Sequence, residues 1–276
     1  MLTALSVLPT GFACTTSTKK EQIGLQMYSL RTFLDEDFEG TMQALINMGI
    51  KRFESFGYRN GLCFGKTSKE MKASLAGMGG QITSAHIGIP FPQTPEQLDI
   101  WKKTCEDTKE VGATWVIQAS YPTSQMQTIA DVMRLAEQFN RCGEIAKSYD
   151  LHFAFHNHRD EFYELEGQIP YDVLMNNTDK NLVTYEIDCG HVLAAGANLA
   201  ECIKKHPGRF SLYHLRDVDA SGQGIAVGQG LTNWEEFFGL AKIAGLKDCY
   251  IELGGASMED IKSAHAFLMN APYVKW

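Results

Sequence analysis

The sequence contains no Cys-x-x-Cys pair, although it holds seven cysteines (Cys14, Cys63, Cys105, Cys142, Cys189, Cys202 and Cys249). That spacing points away from a cysteine-built zinc module, and the thiols read as mostly buried and free. There is no uninterrupted apolar run long enough to span a bilayer as a mature helix. There is no excess of basic residues: 25 Lys plus Arg stand against 33 Asp plus Glu, a net charge of −8. Such a chain is a poor generic partner for nucleic acid, whose phosphates demand surplus Lys and Arg. No G-x-G-x-x-G follows the first strand, the glycine-rich Val218–Leu231 lacks Gly-Lys-Ser/Thr, and no linker or low-complexity tract divides the chain. What is present is 276 residues that are 44% hydrophobic and 11% aromatic, enough for a substantial core in one large domain.

The N-terminus stands apart. Met1 to Ala13 is apolar and uncharged, Cys14 follows directly, and Thr15 to Gln22 is polar. This pattern reads as the end of a secretory h-region running into a lipoprotein cleavage site, with Cys14 lipidated. Residues 1–20 are therefore set aside as a leader or arm. The expected location is periplasmic or membrane-anchored, and cytoplasmic if the segment is not a signal.

From residue 21 onward, short apolar strands alternate with helical spacing. Strands are expected at Ile23–Tyr28, Arg52–Ser55, Gln81–His86, Thr114–Gln118, His152–His156, Val183–Asp188, Phe210–His214 and Asp248–Glu252. Helices are expected between them, including Ser68–Met78, a Thr94-Pro95-Glu96-Gln97 start running to Val111, Gln125–Tyr149, and one opened by Thr232-Asn233-Trp234-Glu235. Eight strand-then-helix units over residues 21–276 imply parallel strands with right-handed crossovers, and fit a single (β/α)8 TIM barrel. The open doubly wound alternative usually shows a Gly-rich turn after its first strand. Here Ser29-Leu30-Arg31 follows.

A barrel should collect chemistry at the C-terminal ends of its strands. Glu54, His86, His156, Asp188, His214 and Glu252 all fall there, with His158 and His191 just beyond. Asp188, His214 and Glu252 lie about one strand–helix unit apart, so adjacent strand ends bring them to one rim. One imidazole and two carboxylates suit a divalent cation such as Mn, Zn, Mg or Co, and His156, one unit earlier, would complete four ligands. Tyr28, Phe56, Tyr58, Phe91 and Trp115 are candidates either for sugar stacking or for the core. Val218–Leu231, rich in glycine, is a candidate rim loop closing over substrate.

His156-Asn157-His158, Asp188-Cys189-Gly190-His191, Tyr213-His214-Leu215-Arg216-Asp217 and Ile251-Glu252 at this spacing resemble the xylose isomerase-like sugar isomerase/epimerase superfamily over residues 22–274. Its members include inosose dehydratases, ketose 3-epimerases and endonuclease IV-type enzymes. The resemblance implies a metal held by a Glu/Asp/His/Glu set, of which Asp188, His214 and Glu252 match the last three. Many relatives carry Glu-Asn-His where this chain has His156-Asn157-His158, so either His156 or Glu161 completes the set. Arg216 stands where relatives often have Lys.

The resemblance implies proton abstraction beside a carbonyl through an enediolate, with Glu252 as base and His156 or Glu161 as partner acid. His158, His191 and Arg216 would bind substrate oxygens; Glu54 and His86 would do the same or simply hydrogen-bond at the rim. The first expectation is a sugar isomerase or epimerase. The alternative is a lyase or dehydratase removing a β-oxygen substituent from a keto-sugar or 3-keto-glycoside. An abasic-site endonuclease or a non-enzymatic sugar binder ranks below both. Expected partners are a small carbohydrate and, through Cys14, a membrane. No nucleic acid is expected, and homo-oligomerisation is left open.

Overall fold

The computed structural model describes residues 23–276. The expected leader and the lipidation site at Cys14 lie outside the described residues. Eight strands form a closed parallel barrel: β1 Ile23–Gln26, β2 Arg52–Ser55, β3 Gln81–Ile87, β4 Trp115–Gln118, β5 His152–His156, β6 Val183–Asp188, β7 Leu212–Leu215 and β8 Asp248–Ile251. The ring closes where β1 pairs with β8 on one side and β2 on the other. The outer layer is α1 Phe38–Asn47, α2 Ser68–Met78, α3 Pro95–Val111, α4 Ile129–Ser148, α5 Pro170–Asn177, α6 Leu199–Lys205, α7 Trp234–Gly239 and α8 Met258–Asn270, with shorter turns between. No helix among the described residues is long and apolar enough to cross a membrane.

Local chemistry sets the boundaries. Thr94 caps α3 reciprocally with Gln97, Pro95 fills the first turn, and Gly112 ends the helix in the left-handed region. Caps of this kind contribute about 1 kcal/mol each. Helix α4 starts at Ile129 rather than Gln125, because the Thr128–Asp131 capping box satisfies its first amides. Strand β1 stops at Gln26 rather than Tyr28: the Gln26 side chain accepts the Tyr28 N–H at 2.9 Å and turns the chain into a 3-10 segment, Met27–Leu30. The helix expected after β7 divides into α7 and a short turn, Ala241–Ala244.

The glycine-rich segment, the candidate rim loop, is folded back on itself. Asp217–Val218 pairs antiparallel with Gly224–Ile225. The buried Asp217 carboxylate accepts N–H groups from Gly228, Gly230, Thr232 and the Trp234 indole at 2.9–3.2 Å. A carboxylate with four donors from one loop is a strong local organiser.

Inside the barrel, alternate residues of each strand share a face. Tyr250, Leu212, Ala154, Ile117 and Trp115 pack together as the floor. Gly24 on β1 makes room for the Tyr250 ring, since a Cβ there would lie 2.5 Å from Tyr250 Cδ1. Trp115 therefore belongs to the core rather than to a sugar platform; its indole donates to Asp248 at 2.9 Å. Phe91 is likewise buried and packs on Phe139. The six described cysteines are all free, and five are buried.

Candidate active site

Above the Tyr250 floor, polar side chains from β1, β2, β3, β5, β6, β7 and β8 fill the lumen. The centre is His214, fully buried on β7. Its two ring nitrogens face different partners. Nδ1 lies 2.7 Å from Glu252 Oε2 and 4.0 Å from Asp188 Oδ2. Nε2 lies 2.7 Å from Glu54 Oε1 and 3.1 Å from Glu186 Oε2. Each nitrogen is thus hydrogen-bonded to a carboxylate, Nε2 to Glu54 and Nδ1 to Glu252; with a cation bound, the two carboxylates at Nε2 would keep a proton there and free Nδ1 to ligate. This is how a second layer of groups selects the tautomer of a metal-ligating histidine.

Glu54 is reached by two further donors, Gln26 Nε2 at 2.7 Å and the Ser84 hydroxyl. It is fully buried at 0% exposure, so it supports the site from beneath rather than from the rim. His86 also sits in this layer, with Nε2 at 2.6 Å from Glu186 and 3.1 Å from Glu54. Glu186 escaped the sequence reading, which looked only at strand ends. Its signal was the two-residue period of Val183–Asp188, which puts Thr184, Glu186 and Asp188 on one face.

His156, Asp188, His214 and Glu252 each offer a donor atom within 4.8 Å of the others, and all four are buried. One nitrogen of this set, His156 Nδ1, is buried without a hydrogen-bond partner. Mixed imidazole and carboxylate donors in such a cluster suit a divalent cation. Glu161, the other expected completer, is not in any of the ligand groupings found among the described residues. Its Oε2 accepts the His158 main-chain N–H at 2.8 Å, and Tyr121 lies against it. A deeper grouping of His86, His156, Glu186 and His214 shares two members with the first. There Glu186 Oε2 gathers the three imidazoles, at 2.6 Å from His86, 3.1 Å from His214 and 3.4 Å from His156 Nδ1.

At the mouth, the half-buried His158 and His191 rings lie 4.9 Å apart, and His158 is 5.0 Å from His156. Arg216 Nη1 donates to His191 Nε2 at 2.9 Å and approaches Asp188 at 3.5 Å and Glu252 at 3.8 Å. Asp188 in turn caps the short helix Cys189–Ala194 by accepting the His191 N–H at 2.8 Å. Gly190 has no side chain to obstruct Arg216: a Cβ would sit 2.6 Å from Arg216 Cγ.

Charge follows from this packing. Burial works against ionisation of Glu252 and Glu186, but adjacent His214 outweighs it and holds both carboxyls well below their ordinary range; Arg216 adds to this at Glu252, and His86 at Glu186. Burial, then the proximity of Glu186, pushes Glu54 up. Burial opposes protonation of His214 as well, yet Glu186, Glu54 and Glu252 together raise it well above 6.5. Burial lowers His156, His158 and His191, so these three imidazoles stay neutral near pH 7; His158 falls to about 4. Burial raises Glu161 to about 7.

With the geometry in place, likeness to known proteins becomes informative. Residues 43–270 match the family described as xylose isomerase-like TIM barrel. The chain belongs to that family. An inosose dehydratase from Halalkalibacterium halodurans is 28% identical over 164 residues, covering 55% of this chain and 52% of the relative. The match thus spans about half the length of that curated relative. The crystal structure of a sugar phosphate isomerase/epimerase from Parabacteroides distasonis superposes with a TM-score of 0.83 at 27% identity, covering 97% of this chain and 100% of the other. The IolI protein with a bound zinc atom shares the fold, with a TM-score of 0.73 at 16% identity over 92% of this chain and 100% of its own.

Proposed function

We propose that this protein is a divalent-metal-dependent carbon–oxygen lyase acting on a keto-sugar or keto-glycoside. The observation that carries this reading is the unequal chemistry of the two sides of the site. Epimerisation calls for a proton acceptor on each face of the sugar, whereas elimination calls for one acceptor and one acid. Glu252, just past β8, is an ionised carboxylate, while Glu161, just past β5, is a carboxyl that burial raises to about 7, so that it still carries a proton to give near neutral pH. The name of the Halalkalibacterium relative, a dehydratase, agrees with elimination.

His156, Asp188, His214 and Glu252 would hold the cation, as the zinc-bearing neighbour suggests for this fold. When bound, a divalent cation polarises a substrate carbonyl and stabilises the negative charge that develops on its oxygen. The Glu252 carboxylate takes the proton α to that carbonyl. The released electron pair forms the carbon–carbon double bond as the β carbon–oxygen bond breaks. The departing oxygen leaves as water or an alcohol with the proton of Glu161, whose pKa of about 7 leaves it substantially protonated at neutral pH. His158, His191 and Arg216 line the mouth and bind hydroxyl groups. Glu54 and Glu186 keep the His214 ring in register.

Isomerisation or epimerisation is the second reading. It shares the first half-reaction and agrees with the Parabacteroides neighbour, a sugar phosphate isomerase/epimerase. Incubating metal-loaded protein with 3-keto-glucosides and free ketoses in D₂O separates the two. Loss of the β-substituent with release of water or alcohol supports the lyase. Deuterated isomers or epimers without any eliminated product would replace it with the second reading.

A further inference from the structure

We propose that a cleft beside the active-site mouth is a binding subsite for a second, uncharged sugar unit, so that the substrate is a neutral glycoside rather than a sugar phosphate. This rests on the carbohydrate reading above and extends it. The cleft has a volume of about 540 Å³ and is bounded by the segments that follow β3 and β4. That size is within the roughly 300–1,000 Å³ usual for small-molecule sites. Its walls include Gln93, Gln97, Gln118, Gln125, Phe91 and Tyr121, and no charged side chain lines it.

Gln118 decides the chemistry. It ends β4 on the outer face, since Trp115 and Ile117 turn inward, and it lines the cleft between the segments that follow β3 and β4. It is 2% exposed. Its Nε2 donates to the Ser120 carbonyl at 2.6 Å and the Ile89 carbonyl at 3.4 Å, which settles the orientation of the amide. Oε1 is left buried with no protein partner. A buried acceptor without a donor is costly, by about 1–3 kcal/mol. The cleft therefore calls for a ligand that donates a hydrogen bond. A hydroxyl does so; a phosphate at neutral pH presents chiefly acceptors and negative charge. Gln97 supplies the complementary group. Its Oε1 is taken by the N–H groups of Gln93 and Thr94, leaving its amide N–H groups to donate. A wall that accepts at one point and donates at another matches a polyol. Tyr121 joins this cleft to the catalytic side, because it also touches Glu161, whose partner His158 stands beside His156. A sugar in the cleft would thus lie next to the acid that serves the departing oxygen.

The test is binding to metal-loaded protein, with glucose, glucose 6-phosphate and a panel of cellobiose, maltose, sucrose and trehalose as probes, read by saturation-transfer NMR and calorimetry. Two hydrogen bonds gained in the cleft predict that the best disaccharide binds about tenfold more tightly than glucose. Gln93 and Gln125 are exposed, so Gln93→Ala/Gln125→Ala is a variant expected to fold; it should reduce that preference to within about threefold. Gln118→Met, close in shape but without the acceptor, should do the same, with circular dichroism confirming the fold. The proposal is overturned if no disaccharide is preferred over glucose, if glucose 6-phosphate binds more tightly than glucose, or if both variants retain the preference. Disaccharide preference without turnover of any keto-sugar would leave the subsite standing and remove the lyase assignment. Elimination from keto-sugars without disaccharide preference would do the reverse.

Discussion

Glu54 makes the most searching test of the site because it is wholly buried beneath the ligand cluster and bonded to His214. Its Oε1 lies 2.7 Å from His214 Nε2 and accepts Gln26 Nε2 at 2.7 Å, while Oε2 accepts the Ser84 hydroxyl. In Glu54→Gln the new amide nitrogen is best placed on the Ser84 side, where the hydroxyl can rotate from donor to acceptor. Oε1 then remains for His214 and Gln26. The variant keeps shape and loses charge, so His214 Nε2 is held by a neutral acceptor and by Glu186 at 3.1 Å. Losing such a supporting carboxylate typically costs 10–100-fold in metal affinity, or about 1.4–2.7 kcal/mol. Glu54→Ala should do worse, since four donors lose a partner and His214 and His86 lose an adjacent negative charge; about 3–5 kcal/mol of stability is at stake. Competition with a fluorescent chelator gives the affinity, and thermal denaturation of metal-free protein gives the stability. A Glu54→Gln protein with metal affinity within twofold of wild type would refute the reasoning that the Nε2 carboxylates prepare His214.

Three further outcomes are expected. Glu252→Gln should retain measurable metal and lose solvent-deuterium exchange into substrate in step with turnover, by about 10²–10⁴-fold; near-normal exchange would hand the base role to another group. Glu161 carries its proton more tightly in the folded protein, at about 7 against an ordinary 4.5. The native state therefore binds more protons between those values, and stability falls as pH rises from about 4.5 to 7, then levels. Glu161→Gln should remove that slope, and its advantage over wild type in chemical denaturation should grow across the same window to an upper bound of about 3 kcal/mol. A difference that does not vary with pH would show that Glu161 is not raised. Asp217→Asn places an amide N–H₂ against donors now bound by the carboxylate, and should cost roughly 3 kcal/mol and open Val218–Leu231 to proteolysis; unchanged digestion would mean that the segment is held by other contacts.

The chain's own order of residues determined the architecture. Eight apolar strands separated by helices whose ends carry their own caps leave few topologies other than a closed parallel barrel, and two of the boundaries moved where a side chain took over a main-chain amide, as Gln26 and Thr128 do. The strand-end positions of Asp188, His214 and Glu252 were legible for the same reason: chemistry placed there faces one rim. Tertiary structure decided the depth of each group. Strands in a barrel are staggered, so residues at like positions in their own strands do not share a level. His156 is in register with Glu186, but Glu186 is in register with the floor residue Leu212, while Asp188 matches His214 and His214 matches Tyr250. That stagger sets Glu54 and Glu186 against one nitrogen of His214, and Asp188 and Glu252 beside the other. It also sorts His156, in the ligand cluster, from Glu161, outside it. The unpaired oxygen of Gln118 has the same origin: only when β3 and β4 lie side by side do Ile89 and Ser120 take both directions of its N–H₂ group and leave the acceptor without a protein partner.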